Sequence, residues 1–362
     1  MNRFHHIPPY SLDRGEKERL LLPFLVDLTN FHSEHCAAYG NFLKAIGYDS
    51  GNISSVADLP FMPVRAFKEL ELKSIADEQV FKLMTSSGTT GQKTSRIYLD
   101  KTNAVLQQKV LLRLLGDFIG VSRKPMLVID APRIMGKSGE FGTRRATMVG
   151  LSYIARGVTF ALHDDLSLDL AAVKEFLLQH GREDFIIFGF TYMVWQYLFQ
   201  ALAAKGERLD FSKGILLTTG GWKKLTDKAV SQKEFKETGQ RICRIGKYLD
   251  HYGMAEQTGS IYAQCEYGHL HASIYSDVIV RRAEDFAPCG IGETGIIQVL
   301  STLPHSYPGH SLLTEDKGTI IGEDGCPCGR KGKYFKVLGR ISRAEIRGCS
   351  DTFEKTASVN NK

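Results

Sequence analysis

Four short apolar runs, at 126–130, 185–190, 215–219 and 295–300, limit what this chain can fold into. They are rich in β-branched or aromatic residues and punctuated by glycine or proline, and stretches with helical apolar spacing, such as 168–180 and 193–205, lie between them. Continuous apolar runs of this length suit strands covered on both faces, and strand–helix alternation lays successive strands side by side in one direction. The pattern predicts an α/β architecture with largely parallel sheets flanked by helices. Upstream, Leu20, Leu21, Phe24, Leu25 and Leu28, then Phe31, Tyr39, Phe42 and Leu43, recur at the spacing of amphipathic helices. Pro60 and Pro63 exclude a regular helix interior and predict an extended lead-in over 58–65.

The chain's 362 residues exceed twice a typical domain length, so one large or two associated units are expected. Hydrophobic residues at 43% and charged residues at 24% exclude a disordered chain. The net charge of +6 is spread along the sequence, which argues against a nucleic-acid footprint, where Lys and Arg cluster on one face. The first ten residues contain neither a leader nor a membrane span, so a cytoplasmic location is expected. Seven cysteines, an odd number, point away from a disulfide framework and toward metal and a free thiol.

The segment Thr85-Ser-Ser87-Gly88-Thr89-Thr90-Gly91-Gln-Lys93-Thr-Ser-Arg96 gathers hydroxyls and glycines around a lysine. Glycines let backbone N–H groups converge on an anion, hydroxyls add donors, and lysine adds charge, which is the composition of a phosphate cradle. Taken alone it could also be a Ser/Thr-rich surface turn. Further on come Thr218-Thr-Gly220-Gly221-Trp222, Asp250-His-Tyr252-Gly-Met-Ala-Glu256, Tyr307-Pro-Gly-His-Ser-Leu-Leu-Thr-Glu-Asp316 and Val337-Leu-Gly-Arg340.

In that order the segments resemble the acyl-adenylate-forming superfamily, whose phosphate loop reads S-G-T-T-G-x-P-K. The resemblance implies ATP binding by Ser87, Gly88, Thr89, Thr90 and Gly91, with Lys93 reaching a phosphate, although the family proline is missing and the lysine comes one position early. It further implies that Gly220 and Gly221 border adenine, that Tyr252 stacks on it, that Glu256 binds Mg²⁺, that Asp316 holds the ribose hydroxyls and that Arg340 reaches the nucleotide. Ala255 stands where the family has threonine, and Glu315 where it has glycine.

Cys265-Glu-Tyr-Gly-His269-Leu-His271 and Cys326-Pro-Cys328 bring three thiols and two imidazoles into two short segments, the donor set of a closed structural zinc site. The phenylacetate–CoA ligase branch carries similar loops, which implies Cys265, His271, Cys326 and Cys328 as ligands, with His269 competing for the imidazole place. Ordinary reduced cysteines in turns are the alternative.

Only 22 residues follow Arg340, so the full C-terminal domain of most such ligases is expected to be absent. Within this stub Cys349 follows glycine and has Arg343 and Arg347 nearby, cations that favour a thiolate. An adenylating enzyme of this length with such a thiol resembles the LuxE-type acyl-protein synthetases, and Ile7-Pro-Pro-Tyr-Ser-Leu12, 31–39 and 59–68 agree with that branch. The resemblance implies a helical lead-in at 1–70, an AMP-binding domain at 71–340 and a stub at 341–362. It implies activation of a carboxylic acid, a fatty acid in this family, to acyl-AMP, transfer to Cys349 as a thioester, and delivery to an acyl-group reductase. Transfer to coenzyme A or a carrier thiol, or a nucleotide-binding module without chemistry, are the competing readings. Chain length of the acid, pathway, acceptor and oligomeric state are not legible in the sequence.

Overall fold

The computed structural model describes residues 4, 6–85, 94–135, 143–220 and 229–341. The described residues fall into two compact units, one drawn from Met1–Leu114, Gly253–Tyr262 and Tyr267–Lys362, the other from Leu115–Tyr252 and Ala263–Glu266.

Helix α1 (Arg14–His35) begins at a capping box, in which the Asp13 side chain accepts from the Glu16 N–H at 2.9 Å and the Glu16 carboxylate accepts from the Asp13 N–H at 3.2 Å. Leu21, Leu25 and Leu28 are buried, the spacing of one helix face. Helix α2 (Ala37–Ala45) follows. The proline-rich lead-in supplies strand β1 (Met62–Pro63), and a hairpin of β2 (Lys82–Thr85) and β3 (Arg96–Leu99) pairs Thr85 with Arg96 across its open end. After helix Lys101–Ile119, strands β4 (Lys124–Val128), β5 (Ala155–Phe160), β6 (Phe185–Phe190), β7 (Gly214–Thr219) and β8 (Lys247–Leu249) form one sheet in the order β5-β4-β6-β7-β8. Every pairing in it is parallel. β4 and β6 are buried along their whole length, which explains their unbroken apolar sequence.

The remaining strands are β9 (His251–Tyr252), β10 (Tyr262–Gln264), β11 (Leu270–His271), β12 (Ser276–Arg281), β13 (Thr294–Ser301), β14 (Ser311–Glu323) and β15 (Lys333–Arg340). With β1 they make an eight-stranded sheet in the order β12-β13-β14-β15-β11-β10-β9, β1 pairing with β14. Here the expectation of largely parallel sheets needs correction, because β12–β13, β13–β14, β14–β15 and β11–β15 are antiparallel and only β1–β14 among the registered pairs is parallel. The physical reason is connectivity: no helix intervenes between Ser276 and Arg340, and without a helical crossover the chain returns antiparallel. Among the described residues no helix is long and apolar enough to cross a membrane.

One buried charge group ties α1 to this sheet. The Asp277 carboxylate on β12 lies 3.2 Å from the Lys17 ammonium and 2.8 Å from that of Lys333 on β15. Burial alone would raise the carboxyl pKa, but attraction by Lys17 and Lys333 outweighs it and sets the value at about 2. Replacing one member of a buried charge group leaves the others uncompensated, so Asp277→Asn should cost about 3–5 kcal/mol of stability near neutral pH. A depressed carboxyl pKa contributes stability that is complete above the unfolded-chain value of about 4 and is lost as pH falls toward the folded value. Urea denaturation of parent and variant should therefore show a gap that is full at about pH 6 and shrinks from about pH 4 downward. A gap independent of pH would refute the assignment.

Candidate active site and metal centre

The phosphate-loop residues Ser87, Gly88, Thr89, Thr90, Gly91 and Lys93 lie outside the described residues, as do Gly221 and Cys349. The structure describes what carries the first of these. The β2–β3 register ends at Thr85 and Arg96, the described strand ends on either side of that segment, and Ser95 is fully buried.

Gly220 follows β7, at the carboxyl end of the parallel sheet where α/β folds place ligands. Its φ of +69° and a Phe190 ring atom 3.1 Å from where a Cβ would stand both favour glycine there. Its carbonyl accepts from the Thr191 hydroxyl at 2.7 Å. Thr219 Oγ1 lies 3.3 Å from His251 Nε2, linking the end of β7 to the residue before Tyr252. Burial pushes the neighbouring Asp250 carboxyl up and the His251 imidazole down, each toward its neutral form, while each partially offsets the shift of the other. The link at His251 was not legible in the sequence, where nothing distinguishes a histidine bonded to a strand end from any other strand histidine.

Glu256 lies in a short 3-10 turn (Ala255–Gln257) and is 6% exposed. No hydrogen bond or ion pair to another described residue is found for its carboxylate, which stands near the buried Tyr307 phenol and helps burial raise that hydroxyl's pKa. Tyr307 receives a hydrogen bond from Gln107 Nε2 at 3.3 Å. Gly309 is required here, since a Cβ would lie 2.4 Å from the Tyr307 ring and 2.7 Å from the Glu256 carbonyl oxygen. Asp316 on β14 and Arg340 on β15 are register partners, and Arg340 Nε lies 3.7 Å from Asp316 Oδ1. The antiparallel ladder thus brings together two motif residues 24 positions apart.

Cys265, His271, Cys326 and Cys328 each offer a ligand atom, and all four atoms lie within 4.8 Å of one another. They come from the end of β10, from β11 and from the turn between β14 and β15. His271 is fully buried, with Nε2 3.4 Å from Cys328 Sγ, and its Nδ1 has no hydrogen-bond partner among the described residues. Burial first, then Arg330, His269 and Lys17, lower its pKa to about 4, so the ring is neutral, the form that binds metal. His269 is outside the set of four; its Nδ1 lies 3.3 Å from Cys326 Sγ. Tyr334, opposite His271 in the β11–β15 register, stacks on His271 at 5.8 Å and lies tilted on His269 at 5.0 Å. The two histidines stand two positions apart, a spacing that left both open in the sequence.

A 2-hydroxyisobutyryl-CoA ligase in complex with its acyl-AMP superposes with a TM-score of 0.70 at 15% identity, covering 92% of this chain and 69% of that enzyme. An open conformation of the same ligase, with acyl-AMP and CoA, gives 0.71 at 14%, covering 92% and 77%. The fold is shared with that CoA ligase. The profile of the LuxE acyl-protein synthetases matches residues 4–357, and this chain belongs to that family of ligases. The long-chain-fatty-acid–luciferin-component ligase of Aliivibrio fischeri is 20% identical over 344 residues, covering 92% of this chain and 87% of that protein. Its Vibrio harveyi counterpart is 21% identical over 366 residues, covering 98% and 92%.

Proposed function

We propose that this chain activates a fatty acid with Mg·ATP and holds the acyl group on Cys349 for a partner reductase. The observation that carries the first half is Glu256, a buried carboxylate with no cationic partner among the described residues. A carboxylate and a polyphosphate repel one another, and a bound divalent cation would offset that repulsion. Bound Mg²⁺ would neutralise charge on the phosphates. The carboxylate of the acid attacks the α-phosphorus, the bond to the bridging oxygen breaks, and pyrophosphate leaves as acyl-AMP forms. Thr89, Thr90 and Lys93 stabilise the charge on the phosphates, Tyr252 packs on adenine between Gly220, Gly221 and the strand end, and Asp316 accepts from the ribose hydroxyls. Arg340, facing Asp316 across the ladder, orients that carboxylate and reaches the nucleotide. No general base is needed, since the acid is already ionised near neutral pH. The Cys349 thiolate then attacks the acyl carbonyl, AMP leaves, and a thioester remains. The fatty-acid assignment follows the names of the Aliivibrio fischeri and Vibrio harveyi relatives.

Acid-dependent pyrophosphate exchange and covalent acyl labelling test the two halves. Glu256→Gln should lower exchange roughly 100-fold in a folded protein, the scale of a lost transition-state charge contact. Cys349→Ser should keep exchange and abolish hydroxylamine-sensitive labelling. Unchanged exchange in the first variant sinks the magnesium role; labelling that survives the second moves the acceptor elsewhere, and no labelling of the parent favours a diffusible thiol.

The Cys265, His271, Cys326 and Cys328 atoms fit a structural Zn²⁺: three thiols and one imidazole, mostly buried, with no fifth donor in the set. Bound zinc would supply folding free energy and no chemistry. Metal analysis should find about one equivalent per chain, and Cys326→Ser with Cys328→Ser should lose it together with thermal stability. Metal-free parent protein of undiminished stability would overturn this.

A further inference from the structure

The residues that flank the four candidate ligands are also the residues that hold the chain's amino-terminal segment. Pro9 O accepts from the Ile274 N–H at 2.8 Å, and Tyr10 O accepts from the Lys331 N–H at 2.9 Å. The Arg14 N–H donates to Asp324 Oδ2 at 3.1 Å, and its guanidinium pairs with Glu323 at 3.2 Å. Lys17 Nζ donates to Ala272 O at 3.2 Å. Tyr10, itself buried, meets the His271 ring edge-on at 6.3 Å and lies under the Arg330 guanidinium at 5.8 Å. All of these partners fall within 271–274 or 323–331, the two stretches that bear His271, Cys326 and Cys328.

The second stretch is a turn held by its own hydrogen bonds, the Gly325 N–H to Glu323 O at 2.7 Å and Lys331 Nζ to Asp324 O at 3.4 Å among them. Between the last β14–β15 pair, Glu323 with Lys333, the turn is braced by the Gly332 N–H to Asp324 Oδ1 at 2.7 Å, the Asp324 N–H to Gly332 O at 3.0 Å and the Gly329 N–H to Cys326 O at 3.0 Å. Asp324, Gly329 and Gly332 all have positive φ, so the turn follows a path few residues adopt unaided. Asp324 serves both sides, one carboxylate oxygen bracing the turn and the other receiving Arg14. Beyond the turn the amino-terminal segment has independent anchors: Arg113 donates to Phe4 O and Ile7 O, and α1 buries Leu21 and Leu25.

We propose that metal bound at Cys265, His271, Cys326 and Cys328 acts as a clasp for the amino-terminal strap Pro9–Lys17, so that metal occupancy and strap docking are one coupled equilibrium. The proposal rests on the zinc reading above. Metal fixes the turn on which the strap lies; metal loss frees the turn, and the strap loses its main-chain partners while Arg113 and α1 keep their own contacts. Linkage makes the coupling reciprocal: a change that weakens the docked strap weakens metal retention by the same factor.

The test is amide hydrogen exchange on the full chain, zinc-loaded and after removal of zinc by a chelator. Exchange should rise at least about tenfold at Arg14, Ile274 and Lys331, whose amides donate across the strap, and stay unchanged in β12 and β13. In the other direction, Tyr10→Ala should speed zinc transfer to a colorimetric chelator about tenfold, the usual effect of removing a residue that supports a ligand. Protein that binds no zinc when zinc is supplied overturns the metal reading and the clasp together. Zinc that binds but leaves exchange at these three amides unaltered overturns the clasp alone, as does exchange that rises equally across the whole sheet or a folded Tyr10→Ala variant with parental zinc release.

Discussion

A carboxylate sealed inside a protein stays ionised only while cations face it, and Asp277 is faced by Lys17 from α1 and Lys333 from β15. That requirement decides much of the larger sheet's geometry. Lys333 begins β15, so its pairing with Asp277 holds the start of that strand near β12, although β13 and β14 lie between β12 and β15 in the sheet order. Lys17 enters from the first turn of α1 and also donates to Ala272 O, one residue past His271. Burial lowers the Lys17 pKa, and attraction by Asp277 is what opposes that loss. The helix, the sheet and the cysteine-bearing turn therefore share one electrostatic dependency.

The long hairpin of β14 and β15 then separates two groups of candidate site residues. Asp316 and Arg340 pair toward one end, and the Cys326–Cys328 turn closes the other. Glu323 lies seven positions beyond Asp316 along β14, roughly 20 Å at the rise of a strand, shortened a little by the register shifts. A metal bound in the turn would be too far from Asp316 to polarise anything bound there, and its contribution would be rigidity. Glu256 belongs to the other group: Gly309 lets the chain before β14 pass close to its carbonyl, next to Tyr307.

Legibility in the sequence followed the kind of force involved. The parallel strands 185–190 and 214–219 were readable because burial on both faces writes a continuous apolar run, and α1 and α2 because burial of one face writes a 3.6-residue period. Direction in the second sheet was not readable from residue type, since β12 is buried throughout and looks the same whether its neighbours run parallel or antiparallel. The missing helices between Ser276 and Arg340 were the signal, carried by what the segment lacks. The Asp277 group was invisible for a different reason: positions 17, 277 and 333 meet only in the fold. At the cysteine cluster the spacing pointed to two short segments and the family resemblance to Cys265, His271, Cys326 and Cys328, whose ligand atoms the fold brings within 4.8 Å of one another.

The departures from the family motifs also look different once the backbone is considered. A glycine replaced in a motif raises the suspicion that a conformation only glycine reaches has been lost, and with it the chemistry. Glu315 does not fit that pattern. It lies inside β14 between Thr314 and Asp316, it is absent from the non-glycine residues with positive φ, and its carbonyl accepts from the Ile341 N–H at 3.0 Å as strand β15 ends. The Thr314 hydroxyl donates to Ile297 O at 2.8 Å and accepts from the Asp316 N–H at 3.1 Å, so the neighbouring Asp316 is braced by its own strand without a glycine beside it. The position asks for extended backbone, which any L-residue adopts. Substitution there changes a side chain and leaves the path of the chain intact, so Glu315 by itself gives no support to a nucleotide-binding module that has lost its chemistry.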